Sequence, residues 1–303
     1  MSGTDEVRAT TFPSRMSTGV PGLDSLLGGG LIPGTLTVVL GATGAGKTQL
    51  GLQFAGAGIA AEGRRGIILD TTVRGDSQGH EVYARRLFDW RLAPVDAAQA
   101  TQLEGFFERA RSHADYLRIF DGDGLPPHPA QREFDAWRDR QARLSRRLAV
   151  AIAFFYGNFA RGVRRAVIDG VDPVDDIDQS IQFELFDYVY RQVLQKESDW
   201  VARDLFRQEF RRHAAAVATN AYDHRQITAL LLCTSRDVLL DELIERPLDE
   251  RDWLATANTV IVMGRIRAAD RVARGLYIAK HRGSACADSV VHYTIGDAGL
   301  RIG

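Results

Sequence analysis

The sequence predicts an α/β fold: a mainly parallel sheet flanked by helices, with antiparallel strands at its C-terminal edge and two helical insertions. Three observations carry that prediction. Short runs rich in Val, Ile and Leu recur along the chain and alternate with helical stretches, the pattern of βαβ units. The first of these runs, residues 35–40 (TLTVVL), leads into the glycine-rich segment 41–48 (GATGAGKT). The last three runs, 259–263, 275–281 and 289–295, follow one another with short turns, which suits antiparallel pairing rather than crossovers.

Taken in order, residues 1–16 read as a flexible polar tail and 17–303 as one domain. In 17–34 (STGVPGLDSLLGGGLIPG), glycines and prolines mark turns around a short apolar helix at 23–27. The β-branched and apolar run 35–40 is a buried strand, and a helix follows over 47–61. Further strands are expected at 66–70, 116–121, 166–169 and 227–233. The two long intervals, about 122–165 and 172–226, read as helical. In the second, Phe186, Val189, Tyr190, Val193 and Leu194 fall on one helical face.

Bulk properties narrow the function classes. A formal net charge of -1 on 303 residues argues against a bulk basic nucleic-acid binder or an acidic tail. Cys233 and Cys286 are too few for a disulfide framework and show no metal-ligand spacing, so a reducing compartment is expected. No apolar signal region opens the chain and no run approaches the roughly 20 residues that span a bilayer, so the expected location is cytoplasmic.

The segment Gly41-Ala42-Thr43-Gly44-Ala45-Gly46-Lys47-Thr48 fits G-x-x-x-x-G-K-[ST] at every fixed position. Each residue type has a physical reason. Glycines let backbone N–H groups wrap phosphates without Cβ clashes. The helix that follows adds the positive end of its dipole. Lys47 neutralises β and γ phosphates, and the Thr48 hydroxyl ligates magnesium. Gly41, Thr43, Gly44, Ala45, Gly46, Lys47 and Thr48 are therefore the expected nucleotide contacts, with ATP and Mg2+ as the expected cofactors. Such a site needs a second acid at the end of a neighbouring strand. Residues 165–169 (RAVID) supply it in Asp169, which together with Thr48 forms the expected metal site. Asp172, Asp175, Asp176 and Asp178 read as a solvated turn and helix cap rather than further ligands.

With these pieces placed, the chain resembles the KaiC/RadA-like branch of the RecA-type P-loop ATPases. Residues 17–34 look like that branch's entry motif, and they stand just before the phosphate loop. The run Lys280-His281-Arg282-Gly283-Ser284 looks like its K-x-R-G-S segment. Residues 293–302 resemble its terminal strand pair, and 84–90 the helix after its second strand. The resemblance spans roughly 17–120, 160–180 and 225–303 and leaves the helical intervals uncovered. It implies a RecA-type core and a homo-hexameric ring or filament with nucleotide held between subunits. It also implies that Lys280 and Arg282, two apart in a predicted strand and so on one face, reach a γ-phosphate bound by the neighbouring subunit. Ser235, just past the fifth strand, is a candidate sensor of the γ-phosphate. One departure stands out. The branch ends its second strand in a Glu pair, one member of which activates water. Here the strand ends Asp70-Thr71-Thr72, which makes Asp70 the candidate acid and turnover less secure than binding.

Three functions fit these residues: a regulatory or signalling ATPase with an unidentified protein partner, a recombination-associated DNA-binding ATPase, and a non-hydrolysing nucleotide-dependent assembly protein. DNA binding needs basic surfaces. The candidates are Arg132, Arg138, Arg140, Arg143, Arg146 and Arg147, and then Arg203, Arg207, Arg211 and Arg212. Both sets are interleaved with acids such as Asp135, Asp139, Asp204 and Glu209, as solvated helix faces are, so the first function is favoured.

Overall fold

A computed structural model of the chain describes residues 15–72, 79–109, 114–120, 134–172, 180–245, 253–267 and 271–303; the side chains of 109, 134–141 and 253 fall outside that description. The strands are β1 (Leu36–Gly41), β2 (Ile67–Asp70), β3 (Tyr116–Arg118), β4 (Arg165–Val171), β5 (Thr228–Thr234), β6 (Thr259–Arg267), β7 (Val272–His281), β8 (Val291–Gly296) and β9 (Gly299–Ile302). They form a nine-stranded sheet in the order β3-β2-β4-β5-β1-β6-β7-β8-β9. From β3 to β6 every pairing is parallel, and from β6 to β9 every pairing is antiparallel. The predicted fold class is the one observed.

The helices are α1 (Leu23–Leu26), α2 (Lys47–Glu62), α3 (Gly79–Phe88), α4 (Ala97–Ala100), α5 (Phe106–Arg109), α6 (Phe134–Phe159), α7 (Ile181–Val189), α8 (Ser198–Phe206), α9 (Phe210–Thr219) and α10 (Leu240–Glu245). Strand alternation divides the core into two layers. Val38, Leu69, Ile168 and Leu231 face α6 through α9, whereas Val39, Ile68, Val167 and Leu230 face α1, α2 and α3. In the second helical interval α7 runs into a π-helical turn, Tyr190–Leu194, and Phe186, Val189, Val193 and Leu194 of the predicted face are buried. Among the described residues no helix is long and apolar enough to cross a membrane.

Helix α2 is enclosed on both sides, which explains its lack of an exposed polar face. One side packs on β4 and β5, and the other meets the β8–β9 hairpin. There the Gln53 amide donates to Leu300 O at 2.9 Å and accepts from Leu300 N at 2.7 Å, so a side chain completes the outer edge of β9. The entry motif explains itself in the same way. Asp24 accepts hydrogen bonds from Ser17 Oγ, Thr18 N and Thr18 Oγ1 and so winds 17–24 into a turn. Gly19 sits inside that turn at φ +71°, where a Cβ would lie 2.3 Å from Gln53 O. The K-x-R-G-S run is tied to the same region from its flanks: Arg15, just before the motif, donates to Gly283 O, and Ala287, just past the run, donates its N–H to Leu26 O. Two stretches far apart in sequence thus form one structural unit.

Several boundaries are corrected. Met16 is buried and exchanges backbone hydrogen bonds with Leu31, so ordered structure begins before residue 17, while 1–14 lie outside the described residues. Strand β3 ends at Arg118 rather than 121, and β6 runs four residues past its predicted end at 263, to Arg267. Asp175, Asp176, Asp178 and Arg132 lie outside the described residues, as do the side chains of Asp135, Arg138, Asp139 and Arg140.

Arg165 ties the N-terminal unit to the sheet. It is fully buried, meets both oxygens of Glu62 at 2.7 and 2.8 Å, and donates to Ser17 O and Phe54 O. Removing one partner of such a pair leaves an uncompensated charge and costs about 3–5 kcal/mol. Arg165→Met should therefore lower the urea unfolding midpoint by that equivalent. A loss below about 1 kcal/mol, the scale of an exposed pair, would show that this contact is not structural.

Candidate functional site

The site is built where the parallel strands end. Strand β1 lies between β5 and β6, and its last residue, Gly41, is level with Thr234 and Met263. Strand β4, on the far side of β5, carries Asp169 near its end in the same region, just before a register shift. The chain leaves β1 as a loop, turns at Ala42–Ala45 through a backbone hydrogen bond, and enters α2 at Lys47. Thr43 and Gly44 form its exposed crest. Gly46 caps α2 at φ +98°, and a Cβ there would lie 2.6 Å from Ile295 Cδ1 of β8. Tyr293 of β8 donates its hydroxyl to Ala45 O at 2.6 Å, and burial pushes that phenol up to about 12, so it remains a donor. The C-terminal hairpin therefore holds the loop from behind.

Lys47 is buried, and its Nζ donates to Gly41 O at 2.8 Å and Ala42 O at 3.0 Å. Burial pulls the amine below its ordinary pKa, against the opposing charge of Asp169. Thr48 Oγ1 donates to Asp169 Oδ2 at 2.7 Å. Asp169 Oδ2 also lies 3.0 Å from His80 Nε2. Burial pushes the Asp169 carboxyl up, but the hydrogen bonds from His80 and Thr48 and the charges of His80 and Lys47 bring it net below its ordinary value. The structure brings Thr48 and Asp169 into contact and sets Lys47 beside them. His80 was not singled out, because one histidine on a helix 89 residues before its partner leaves no spacing signal.

The donor set suits magnesium. A hydroxyl and a carboxylate converge at 2.7 Å beside the N-terminus of α2, and such hard oxygens with few protein ligands are what Mg2+ takes when phosphates complete its shell. Among the described residues no group of three or more His, Cys, Asp or Glu forms a separate metal cluster.

Other expected residues are placed differently from their predicted roles. Asp70 is fully buried. Its Oδ1 accepts from Thr72 N and Thr72 Oγ1, and its Oδ2 accepts from the Tyr116 hydroxyl at 2.5 Å. So engaged, the carboxylate presents no face to an attacking water. Ser235 does stand at the loop, donating its N–H to Gly41 O at 3.0 Å, but its hydroxyl is turned to Asp237. The shared strand face of Lys280 and Arg282 is not observed. Strand β7 ends at His281, and Arg282 lies on the exposed turn beyond. Lys280 Nζ donates to Leu254 O and Ala255 O of its own chain.

Beyond the loop crest, the extended β6–β7 hairpin and β8 enclose a cavity of about 560 Å³. Arg265, Arg271, Arg274 and His292 line it with Thr43 to Ala45, and among the described residues no acid does. Arg265 and Arg274 are direct cross-strand partners. Like charges so placed repel, a cost that an anion between them removes.

Comparison with known proteins follows this geometry. A family model described as the KaiC ATPase matches residues 16–198. Among curated proteins none matches the sequence. Among solved structures, a KaiC-like protein of the hyperthermophilic archaeon Pyrococcus horikoshii aligns with 95% of this chain and 98% of its own, at 16% identity and a TM-score of 0.49.

The Gly46 geometry generates a test of the loop. Gly46→Ala meets both a positive φ and the Ile295 side chain, so the loop must shift while the sheet behind it stays intact. Circular dichroism should be unchanged, and affinity for a nucleoside triphosphate should fall about tenfold or more, the equivalent of roughly 1.4 kcal/mol of strain or more. Adding Ile295→Val should recover only part of the loss, because the backbone strain remains. Wild-type affinity in the single variant would mean that phosphates are held elsewhere.

Proposed function

The chain belongs to the KaiC family of ATPases, and from that premise we propose that it is a cytoplasmic regulatory ATPase. In this reading it binds ATP with Mg2+ on the 41–48 loop, assembles through the bound nucleotide and turns it over slowly. The observation that carries binding is the convergence of Lys47, Thr48 and Asp169 at the N-terminus of α2. Phosphate oxygens replace the carbonyls of Gly41 and Ala42 as acceptors for Lys47, and the loop N–H groups and the helix dipole add to that attraction. The cationic cavity beside the crest receives the remainder of the nucleotide, with Arg265 and Arg274 sharing its charge. Thr48 and Asp169 would hold the magnesium, which would supply neutralisation of phosphate charge.

Slow turnover follows from Asp70. The acid nearest the position of the branch's Glu pair is committed to Thr72 and Tyr116 and lies out of water's reach. A nucleotide that persists serves assembly better than work. The DNA-binding alternative is not favoured, because three of the four candidate arginines of the second insertion are engaged locally: Arg203 pairs with Asp199, Arg212 with Glu209, and Arg207 donates to Asp204 O.

Assembly rests on Arg282. Backbone hydrogen bonds put Arg282 level with Asn258 and Leu36, five residues below Gly41, which is about 16 Å along the strands. Arg282 thus stands at the end of the sheet away from its own loop, and a phosphate it meets is a neighbour's. Its planar, permanently charged fork suits that contact. Lys280 can join only by leaving Leu254 O and Ala255 O.

Two substitutions separate these parts. Lys47→Ala should weaken ATP binding by roughly 10–100-fold in titration calorimetry, the range for a hydrogen-bonded charge. Retained affinity would exclude this loop. Arg282→Ala should bind ATP normally as a single subunit yet fail to grow in light scattering when ATP is added, where the wild type grows. Mixing the two variants should restore part of any phosphate release, because each spoils a different side of the shared site. A wild type that remains monomeric with saturating ATP would end the assembly proposal and leave the binding proposal standing.

A further inference from the structure

Asp70 at the end of β2 and Asp169 near the end of the adjacent parallel β4 are direct register partners, so their side chains leave the same face of the sheet about 4.8 Å apart. Both are buried. Two carboxylates so placed repel, and each needs donors to stay in position. Asp70 has three within its own neighbourhood, from Thr72 and Tyr116. Asp169 has two, and they come from distant segments: Thr48 at the start of α2 and His80 at the start of α3. Both meet the same oxygen, Oδ2.

His80 is buried, and its ring lies across both acids. Nε2 is 3.0 Å from Asp169 Oδ2, a hydrogen bond, and Nδ1 is 3.7 Å from Asp70 Oδ2, a charge contact without hydrogen-bond geometry. Carboxylates accept and do not donate, so the proton on this bond belongs to Nε2. The ring is itself held in place. Its centroid lies 5.6 Å from that of Tyr116, whose hydroxyl is anchored on Asp70.

We propose that His80 is a positioning residue for magnesium: it fixes the rotation of the Asp169 carboxylate, so that the acid meets the ion beside Thr48 without reorganising. This rests on the nucleotide reading of the loop and adds to it an outer residue that tunes the metal. Thr48 gives Oδ2 one donor while its lone pairs face the ion; His80 gives the same oxygen a second donor from another helix, and two directions fix a rotation that one leaves open. Donors in this outer position typically change metal affinity by about 10–100-fold when removed.

The test is an ATP titration at fixed pH, once in excess EDTA and once over a series of MgCl2 concentrations, on the wild type, His80→Phe and His80→Gln. The Phe variant keeps a ring in the cavity but loses the donor. Its half-saturating Mg2+ concentration should rise about 10–100-fold, while affinity in EDTA stays within about twofold. The Gln variant, whose amide can donate to Asp169, should recover much of the metal affinity, which a role in packing alone does not predict. An unchanged Mg2+ requirement in His80→Phe overturns the proposal. So does an equal loss with and without metal, which assigns His80 to holding α3 in place. A wild type that fails to bind ATP in either condition removes the nucleotide reading itself and this role with it.

Discussion

The structure turns on one buried charge, the carboxylate of Asp169. Its surface is 5% exposed, and an ionised group in that setting costs several kcal/mol unless donors replace water. Hydrogen bonds to charged groups return about 1.5–3 kcal/mol each, so two donors and the Lys47 charge bring it close to balance. Those donors dictate the local architecture. Thr48 must open α2 at the end of β1, His80 must open α3 after β2, and β4 must stand beside β2 in register. A slip of one residue in β4 would turn Asp169 to the other face and strand all three partners.

The loop has a second dependence, on the far edge of the sheet. Gly46 is sealed by Ile295, Ala45 is held by Tyr293, and Gln53 pairs with Leu300. Each contact joins the first fifth of the chain to its last residues. The β8–β9 hairpin is therefore the back wall of the loop rather than an appendage, and it also fixes the cationic cavity by fixing β8. Parallel strands create the site, and the antiparallel extension makes it rigid.

How much of this was legible in sequence depended on whether the signal was local. The loop, β1 and Asp169 were readable because a strand, a turn and a helix follow one another within a few residues, and each has its own pattern. The two layers of the core were readable from alternation. What failed was non-local. His80 acts through a partner 89 residues away and looks like any helical histidine. Asp70 was readable as an acid at a strand end, but not as an acceptor saturated by Tyr116, 46 residues on. Alternation predicts one strand face for Lys280 and Arg282; the turn after His281 breaks it, and that turn has no signature in the residues before it. Arg165 entered the sequence reading only as the residue that opens 165–169, yet it is buried with four hydrogen bonds to the entry motif and to α2.

The positions of the loop and of Arg282 also constrain the proposed assembly. Gly41 and Arg282 lie toward opposite ends of the sheet, about 16 Å apart along the strands. A contact that brings the Arg282 end of one copy to the loop end of the next uses two different surfaces. Such a contact is heterologous, and it either closes into a ring or continues as a filament; it cannot give a two-fold dimer that buries both sites alike. The K-x-R-G-S turn is well suited to carry it, because Gly283 is held by Arg15, just before the 17–34 entry motif, and Ala287, just past the turn, bonds Leu26 within it. Arg165 in turn bonds that motif to the end of α2 and the start of β4. Displacement of the turn is thereby linked, through packed and hydrogen-bonded elements, to the two elements that present Thr48 and Asp169. Nucleotide at one loop and a neighbour at the other end of the sheet act on the same rigid unit, which is the condition for each to strengthen the other.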